Sequence, residues 1–275
     1  MGNKQLKLNY RNDIASMTLS QLKKLIQEKN QIENFFIDEL KNDSRKGTTK
    51  LAEKCIQKNK QFREEQERIE SLKKIEKDLH NKGYDYIAGV DEAGKGALAG
   101  PVTAGAVIFP EDVNLLKVND SKKLTTIKRE NLYFKIINKT LAVGIGMVSV
   151  EEINDMGIAT ANRLAMKKSL DNLTLTPDFV LIDSIEVNGL EYLNRSVPQG
   201  DSRCYCIAAA SIVAKVTRDR LVVKLSEGYP EYGFKSNKGY GTFEHQKAVE
   251  KYGYCDIHRK SFKFNHISGY QKLGF

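Results

Sequence analysis

The segment 86–108, YIAGVDEAGKGALAGPVTAGAVI, constrains the fold more than any other part of the chain. Two runs rich in β-branched residues, YIAGV and VTAGAVI, flank a glycine-rich loop, and this pattern predicts two short strands. Glycine inside such runs indicates close approach of another backbone. Downstream we predict a strand in LAVGIGMVSV, helices in VEEINDMG and ATANRLAMKKSLDNL, a buried strand in FVLIDS, an extended RSVPQGDS and a long helix in CYCIAAASIVAKVTRDRLVVKLSEG. Strands followed by alternating helices predict an α/β fold, a mixed sheet flanked by helices.

The chain before this segment has a different, charge-rich helical pattern. Thr18 and Gln21 have the spacing of a capping box, and apolar residues follow at helical spacing as far as Leu40. A second helix is predicted over residues 48–80, with Gly83 as its C-terminal stop. We therefore predict a helical N-terminal extension over residues 1–82. An α/β domain over residues 83–275, ending in C-terminal helices, follows it.

The composition favours a polyanionic partner. The 275 residues carry 44 Lys and Arg against 35 Asp and Glu, a net charge of +9. Such an excess is typical of nucleic-acid binding but does not establish it. The apolar stretches are too short and too broken by glycine for a membrane span, and the N-terminus lacks the apolar core of a secretory signal. We expect a cytoplasmic protein with no membrane association and, in the simplest case, a monomer.

The cysteines do not follow a known metal or disulfide spacing. They are Cys55, Cys204, Cys206 and Cys255, with no C-x-x-C pair among them. Neither a zinc signature nor a disulfide framework is indicated. Reduced thiols are expected.

Four acidic residues lie at predicted strand ends and at a helix start. Asp91 and Glu92 follow YIAGV, Asp183 ends FVLI, and Asp201 precedes the long helix. Such positions meet at one edge of an α/β sheet, where these folds usually build their sites. Taken alone, Asp201 is equally well explained as a helix cap, and Asp183 as a turn residue. Adjacent carboxylates repel unless a cation binds them, and an oxygen-only set suits Mg²⁺ or Mn²⁺.

The same segment also resembles the P-loop pattern G-x-x-x-x-G-K-[ST], which is an alternative. Gly96, however, stands where an NTPase needs Ser or Thr to hold Mg²⁺. Asp91 and Glu92 would repel bound phosphates, so the metal-site interpretation is favoured. Gly94 and Gly96 lack side chains, and their peptide groups are suited to contact a ribose 2′-hydroxyl, the group that distinguishes RNA from DNA.

Five motifs in chain order resemble bacterial ribonuclease HII: IAGVDEAGKGALAGPV, NDSKKL, VLIDS, GDSRCYCIAAASIVAKVTRDR and NKGYGTFEH. Several motifs in register are more specific than any one of them. The resemblance implies a ribonuclease H-like fold with a mixed five-stranded sheet. It also implies metal-dependent cleavage of the RNA strand of RNA–DNA hybrids. Incision 5′ to a single ribonucleotide embedded in duplex DNA, as in ribonucleotide excision repair, is implied as well, with 3′-hydroxyl and 5′-phosphate products.

The resemblance further implies roles for individual residues. Asp91, Glu92, Asp183 and Asp201 correspond to the family's four acidic residues, which are catalytic and bind two divalent ions, Mg²⁺ or Mn²⁺. Asp91 is expected to bridge both ions. The family's substrate contacts correspond to Gly94, Lys95 and Gly96 at the 2′-hydroxyl, Tyr240 on the sugar at the RNA–DNA junction, and Ser121, Lys122 and Lys123 at the phosphates. Without the resemblance, Tyr240 is explained as a loop aromatic packing on the core, and the lysine pair as solvated.

One residue departs from the family pattern, because Lys95 stands where Arg is usual. Lys keeps the charge but lacks the planar fork, so junction specificity depends on whether the backbone or the side chain is read. Ribonuclease HIII, which also varies at this loop, is the alternative enzyme. Asp201 instead of Glu, and the tyrosine of NKGYGT, favour HII. A non-catalytic nucleic-acid binder is the alternative from another class, and the retained carboxylates argue against it.

Other basic residues are less informative. Ordinary surface pairing explains Lys215, Arg218 and Arg220, and His258-Arg259-Lys260 forms a further basic cluster. No histidine falls in the acidic motifs, so none is assigned as a general base. The C-terminal SGYQKLGF shows no convincing docking peptide for a sliding clamp.

Overall fold

One mixed β-sheet organises the computed structural model, which describes residues 14–187 and 189–262. Its strands in the described chain are β1 Ile87–Ala93, β2 Val102–Ile108, β3 Ala142–Val148, β4 Phe179–Asp183 and β5 Asn194–Val197. They lie in the order β3-β2-β1-β4-β5. β2 pairs antiparallel with both β1 and β3, whereas β4 pairs parallel with β1 and β5. The predicted mixed sheet is confirmed.

Helices precede, flank and follow the sheet. The described ones are α1 Leu19–Glu28, α2 Asn34–Asn42, α3 Thr48–Leu72, α4 Lys74–His80, α5 Thr126–Ile137, α6 Val150–Met156, α7 Ile158–Asp171, α8 Gly200–Arg203, α9 Tyr205–Leu225, α10 Phe234–Asn237 and α11 Phe243–Tyr252. None of them combines the length and apolar character that crossing a bilayer requires. The N-terminal residues 1–13 and the C-terminal SGYQKLGF lie outside the described residues.

The parallel pairing of β1 and β4 fixes the edge where the acidic residues lie. Val90 in β1 lies opposite Ile182 in β4. Because the two strands run in the same direction, the following residues, Asp91 and Asp183, reach the same edge of the sheet. The chain arrives at β4 through α6 and α7, the kind of crossover that parallel neighbours need.

Helices α7 and α9 pack on opposite faces of this sheet at glycine positions. A Cβ added at Gly146 would lie 1.9 Å from the carbonyl oxygen of Ala165 in α7, and one added at Gly105 would lie 2.9 Å from that of Ala210 in α9. Gly146 pairs with Ala104, the neighbour of Gly105, and successive strand residues point to opposite faces. The glycines predicted to mark close approach therefore face two different helices.

The N-terminal residues have a core of their own. The described chain divides between Glu70 and Ser71 into two compact units. In the first unit, Thr18 caps α1 through the predicted capping box with Gln21. The side-chain amide of Asn59 in α3 bonds both the N–H and the carbonyl group of Ile32, which pins the connection between α1 and α2. The apolar core comprises Ile14, Leu22, Ile26, Ile32, Phe36, Ile37, Leu40, Leu51, Ala52 and Cys55.

The single helix predicted over residues 48–80 is divided in two. α3 ends at Leu72 and α4 begins at Lys74, and the amine of the intervening Lys73 donates to the carbonyl oxygen of Val113. α4 ends at His80, and Gly83 adopts a left-handed φ of 90°, as expected of a residue that stops a helix. The domain boundary predicted between residues 82 and 83 stays a prediction.

Helix α5 has no counterpart in the sequence-based prediction. Its apolar residues do not fall on one buried face, since Ile127 is 76% exposed and Phe134 is 56% exposed, whereas Leu132 and Ile136 are buried. Thr125 caps it by accepting from the N–H of Lys128. A helix with apolar residues on both sides gives a weak periodic signal, so the pattern alone did not identify it.

We expect Gly146→Ala to lower the free energy of unfolding by about 1–3 kcal/mol, the usual cost of overpacking. The obstacle is a backbone carbonyl of α7, which cannot turn aside as a flexible side chain can. Gly228→Ala is the control, since an added Cβ there meets nothing within 4 Å. Urea unfolding of both variants measures the difference. Equal stability would contradict the close approach of α7 to β3.

Candidate active site

The four predicted acidic residues are carried by three elements. Asp91 and Glu92 lie within β1, which continues to Ala93, and Asp183 is the last residue of β4. Asp201 lies in the one-turn helix α8. Asp91 is only 4% exposed, and one of its oxygens, Oδ1, accepts from the N–H of Glu92 at 2.7 Å.

A short bridge joins the β4 end to α8. Asp183 Oδ1 accepts from the N–H of Gly200 at 2.6 Å. The residues beside this bridge, Ser184 and Gln199, have left-handed φ values of 55° and 56°. Non-glycine residues rarely adopt this region, and such strain concentrates at functional sites. The strained loops bring Asp201 towards the strand ends.

Buried like charges perturb the carboxyl groups. Burial, and then the charges of Glu92 and Asp183, hold the pKa of Asp91 well above its usual value of 3.8. Burial also raises the pKa of Glu92, although the nearby Lys95 opposes the rise. Burial raises the pKa of Asp201 too, with Asp183 among the charges that add to it. Each ionised form is disfavoured, so a positive charge placed among these groups would be stabilised.

Lys122 supplies part of that positive charge at the rim. Its Nζ lies 3.8 Å from Asp201 Oδ2, and its side chain is 80% exposed. Burial alone would lower the pKa of Lys122, but the charges of Asp201 and then Asp91 raise it overall. Lys123 lies 4.0 Å from Asp120 and also stabilises the Asp201 carboxylate. The exposed Lys122 ammonium offsets the carboxylate charge only in part, since the pKa of Asp201 stays raised.

The donor set fits Mg²⁺ or Mn²⁺. All four side chains offer carboxylate oxygens, the ligands that these hard cations prefer. The spacing is more open than a closed ligand shell: among the described residues, the group whose ligand atoms all lie within 4.8 Å of one another is Glu76, Cys204 and Cys206, not the acidic four.

A groove of about 310 Å³ adjoins the carboxylates, and most of the residues predicted to contact the substrate line it. It is lined by Glu92, Ala93, Gly94, Lys95, Gly96, Ser121, Lys122, Lys215 and Tyr240. Lys123 does not line it. The Ser121 hydroxyl is buried and accepts from Ser211 Oγ at 2.8 Å, so it is partly occupied within the protein.

The fold requires glycine at position 94 of the loop but not at position 96. Gly94 has a φ of 89°, and a Cβ there would lie 1.9 Å from Nε of Arg218. Packing alone therefore requires Gly94. Gly96 is exposed, and an added Cβ would meet nothing within 4 Å. The fold does not require glycine at that position.

Two buried arginines hold this loop from beneath. Arg218 donates to the carbonyl oxygens of Pro101, Ala99 and Lys238 at 2.9–3.0 Å. Arg259 donates to those of Gly100 at 2.9 Å and Lys95 at 3.0 Å. Neither side chain reaches solvent, since Arg218 is 0% and Arg259 1% exposed.

The surface pairing expected for Arg218 is wrong, because Arg218 is buried. In the basic cluster His258-Arg259-Lys260, the first two residues are buried as well. The sequence did contain a signal for this burial. Arg218 lies in a long helix near two apolar residues, Val216 and Val222, and both are buried.

Tyr240 is held at the groove by two cations near its ring and by a hydrogen bond to its backbone. The ammonium of Lys215 lies 4.7 Å, and the guanidinium of Arg218 5.2 Å, from the centre of its ring. His245 Nδ1 donates to the Tyr240 carbonyl oxygen at 2.9 Å. Lys215 forms an ion pair, as expected, with Asp219 at 2.8 Å, and it also lines the groove.

The P-loop alternative is not supported by the local structure. A P-loop requires a strand, a phosphate-binding loop and then a helix. Here Asp91 and Glu92 lie inside β1, and the next regular element after Lys95 is strand β2.

In the presence of a chelator, the free energy of unfolding is expected to fall as the pH rises. The fall begins near 3.8, the usual pKa of Asp, and ends at the raised pKa of Asp91 in the folded protein. In that window the folded protein holds a proton that the unfolded chain has released, which costs about 1.4 kcal/mol per pH unit for one group. Asp91→Asn should flatten this slope, and Asp171→Asn, at an exposed position, should not. Denaturant unfolding across pH measures both. Parallel curves for Asp91→Asn and the unmodified chain would contradict the buried repulsion.

Family models match both parts of the chain. The model of ribonuclease HII matches residues 88–265, and that of the ribonuclease HII N-terminal domain matches residues 18–80.

Individual relatives agree with the models. Ribonuclease HII of Clostridioides difficile is 47% identical over 230 residues, which cover 84% of this chain and 90% of that protein. Ribonuclease HII of Bacillus subtilis is 41% identical over 247 residues, or 90% of this chain and 96% of that protein. Among solved structures, ribonuclease H2 from Pyrococcus horikoshii is 28% identical with a TM-score of 0.55, covering 65% of this chain and 94% of that one. The chain therefore belongs to the ribonuclease HII family, enzymes that cleave the RNA of RNA–DNA hybrids.

Proposed function

We propose that this chain incises duplex DNA on the 5′ side of single embedded ribonucleotides, in addition to cleaving the RNA strand of RNA–DNA hybrids. Water attacks the phosphorus and the P–O3′ bond breaks. The leaving 3′ oxygen takes up a proton, so the products carry a 3′-hydroxyl and a 5′-phosphate. The observation that carries the proposal is the groove, whose lining brings the carboxylate of Glu92 together with the open space at Gly96.

Asp91, Glu92, Asp183 and Asp201 are proposed to hold two divalent ions, Mg²⁺ or Mn²⁺. The raised pKa values of Asp91, Glu92 and Asp201 support this role, because buried carboxylates that repel one another favour a cation. Such ions, when bound, supply positive charge for the attacking and leaving oxygens. The four carboxylates would hold the cations at the edge of the sheet.

The groove is proposed to position the nucleic acid. Lys95, Lys122 and Lys215 line it and supply charge for phosphates, which fixes register without reading base sequence. Tyr240 offers an aromatic face for the sugar at the junction. Because Arg259 and Arg218 fix the loop carbonyls, the peptide groups at Gly94–Gly96 are preorganised for a 2′-hydroxyl.

A cytoplasmic location and a monomeric state stay predictions from the sequence. The proposed partners are the RNA–DNA hybrid and ribonucleotide-containing duplex DNA.

Asp91→Asn should abolish most cleavage while leaving duplex binding largely intact. Removing one group that stabilises transition-state charge costs about 10²–10³ in kcat, and a residue shared by both ions should cost at least that. Single-turnover cleavage and fluorescence anisotropy with a labelled duplex measure the two properties. Asp171→Asn is the charge-matched control and should behave like the unmodified chain.

If neither the unmodified chain nor Asp91→Asn shows metal-dependent cleavage, the protein is a nucleic-acid binder and not a nuclease. Cleavage that survives Asp91→Asn unchanged would place the catalytic groups elsewhere.

Gly96→Ala should impair incision at a single ribonucleotide more than Lys95→Ala does. The added methyl group fits the fold, so a loss of at least about tenfold in kcat/KM, or about 1.4 kcal/mol, would report a substrate contact. Lys95→Ala removes only an exposed charge. The assay compares a duplex with one ribonucleotide against an all-RNA/DNA hybrid, with Gly228→Ala as the control.

A larger loss with Lys95→Ala would assign recognition to the side chain instead of the backbone. Cleavage of the hybrid alone, by every variant and by the unmodified chain, would refute the single-ribonucleotide activity and leave the family activity intact.

A further inference from the structure

A second cluster of ligand-bearing side chains lies outside the carboxylate site. Glu76, Cys204 and Cys206 are buried, and one ligand atom from each lies within 4.8 Å of the others. The two sulfur atoms are 3.5 Å apart. Glu76 belongs to α4, and the cysteines stand at the start of α9, so two separate elements meet here.

One atom of this cluster has no partner. Glu76 Oε1 accepts from the backbone N–H of Cys206 at 2.7 Å. Glu76 Oε2 has no hydrogen-bond partner, although the residue is only 8% exposed. A buried carboxylate oxygen without a partner is costly, unless a proton or a cation meets it.

We propose that Glu76, Cys204 and Cys206 form a binding site for one thiophilic divalent cation of the Zn²⁺ class. Zinc–sulfur bonds of about 2.3 Å at a tetrahedral angle put two sulfur ligands roughly 3.8 Å apart. The observed 3.5 Å is close to that spacing and far longer than a disulfide bond of about 2.05 Å. The two thiolates alone balance the charge of a divalent ion, and the carboxylate adds one further negative charge as a ligand.

The fourth position opens on a cavity. A space of about 30 Å³, lined by Glu76, Cys206 and His80 among others, adjoins the cluster and is large enough for a water molecule. His80 Nδ1 donates to the carbonyl oxygen of Tyr84, which leaves the lone pair on Nε2. Lys73 also lines the cavity, but its amine donates to the Val113 carbonyl oxygen. Water completes the ligand set.

This site selects a different cation from the carboxylate site. Sulfur ligands prefer zinc-like ions, whereas Mg²⁺ and Mn²⁺ prefer oxygen alone. The C-x-C spacing gave no zinc signature, because the third ligand lies 130 residues from Cys206 in the chain. A bound ion would join α4 to the first turn of α9, directly after the helix that carries Asp201.

The test is a Co²⁺ titration of the full chain, stripped with chelator and kept reduced, with excess Mg²⁺ to occupy carboxylate sites. Thiolate-to-cobalt charge-transfer absorption should saturate at one equivalent, and Zn²⁺ should displace the Co²⁺ and raise the melting temperature. Cys204→Ser and Cys206→Ser should each abolish the absorption. Cys255→Ser, which changes a thiol outside the cluster, should keep it.

Glu76→Gln separates metal binding from folding, because its amide oxygen can still accept from the Cys206 N–H. It should weaken Co²⁺ binding at least about tenfold, the lower cost reported for changes around metal sites. Circular dichroism verifies that each variant is folded. Absent absorption, absorption that survives in the Cys204→Ser/Cys206→Ser double variant, absorption lost in Cys255→Ser, or unchanged affinity in Glu76→Gln would each overturn the site.

Discussion

The parallel pairing of β1 with β4 is the constraint on which the site depends. With Val90 opposite Ile182, the next residue of each strand is an aspartate, and the two carboxylates reach one edge. The two carboxylates repel each other, but the hydrogen bonds between the strands and the helices on both faces of the sheet keep them together. The sheet thus maintains a repulsion that raises the pKa of Asp91, and a cation is the natural way to relieve it.

Two buried guanidinium groups fix the backbone of the glycine loop, as the sheet fixes the carboxylates. Arg218 and Arg259 together donate to five backbone carbonyl oxygens, four of them between Lys95 and Pro101. The planar, multiply donating group suits this role, and a lysine ammonium could not reproduce it. The loop beside the carboxylates is therefore shaped by hydrogen bonds from within the protein, and Gly94 is required by the arginine that lies against it.

The sequence predicted those features that depend on a local pattern of residues. Strand ends placed Asp91 and Asp183 at one edge, and the capping box at Thr18 was visible from two residues. Contacts between distant parts of the chain were not accessible. Nothing local shows that Arg259 reaches the Lys95 carbonyl, or that Glu76 meets Cys206, because both depend on how the elements pack. Helix α5 was missed for another reason: its apolar residues lie on both sides.

The burial of Arg218 and Arg259 changes what a net charge of +9 means for an encounter with nucleic acid. Both guanidiniums count in the total, yet neither can touch a phosphate. The cations exposed beside the groove are ammonium groups, Lys95 and Lys122, which are compact and strongly hydrated. Ammonium groups displace condensed counterions from a duplex without distinguishing its bases. Association through this face should therefore be indifferent to sequence and weaken as ionic strength rises.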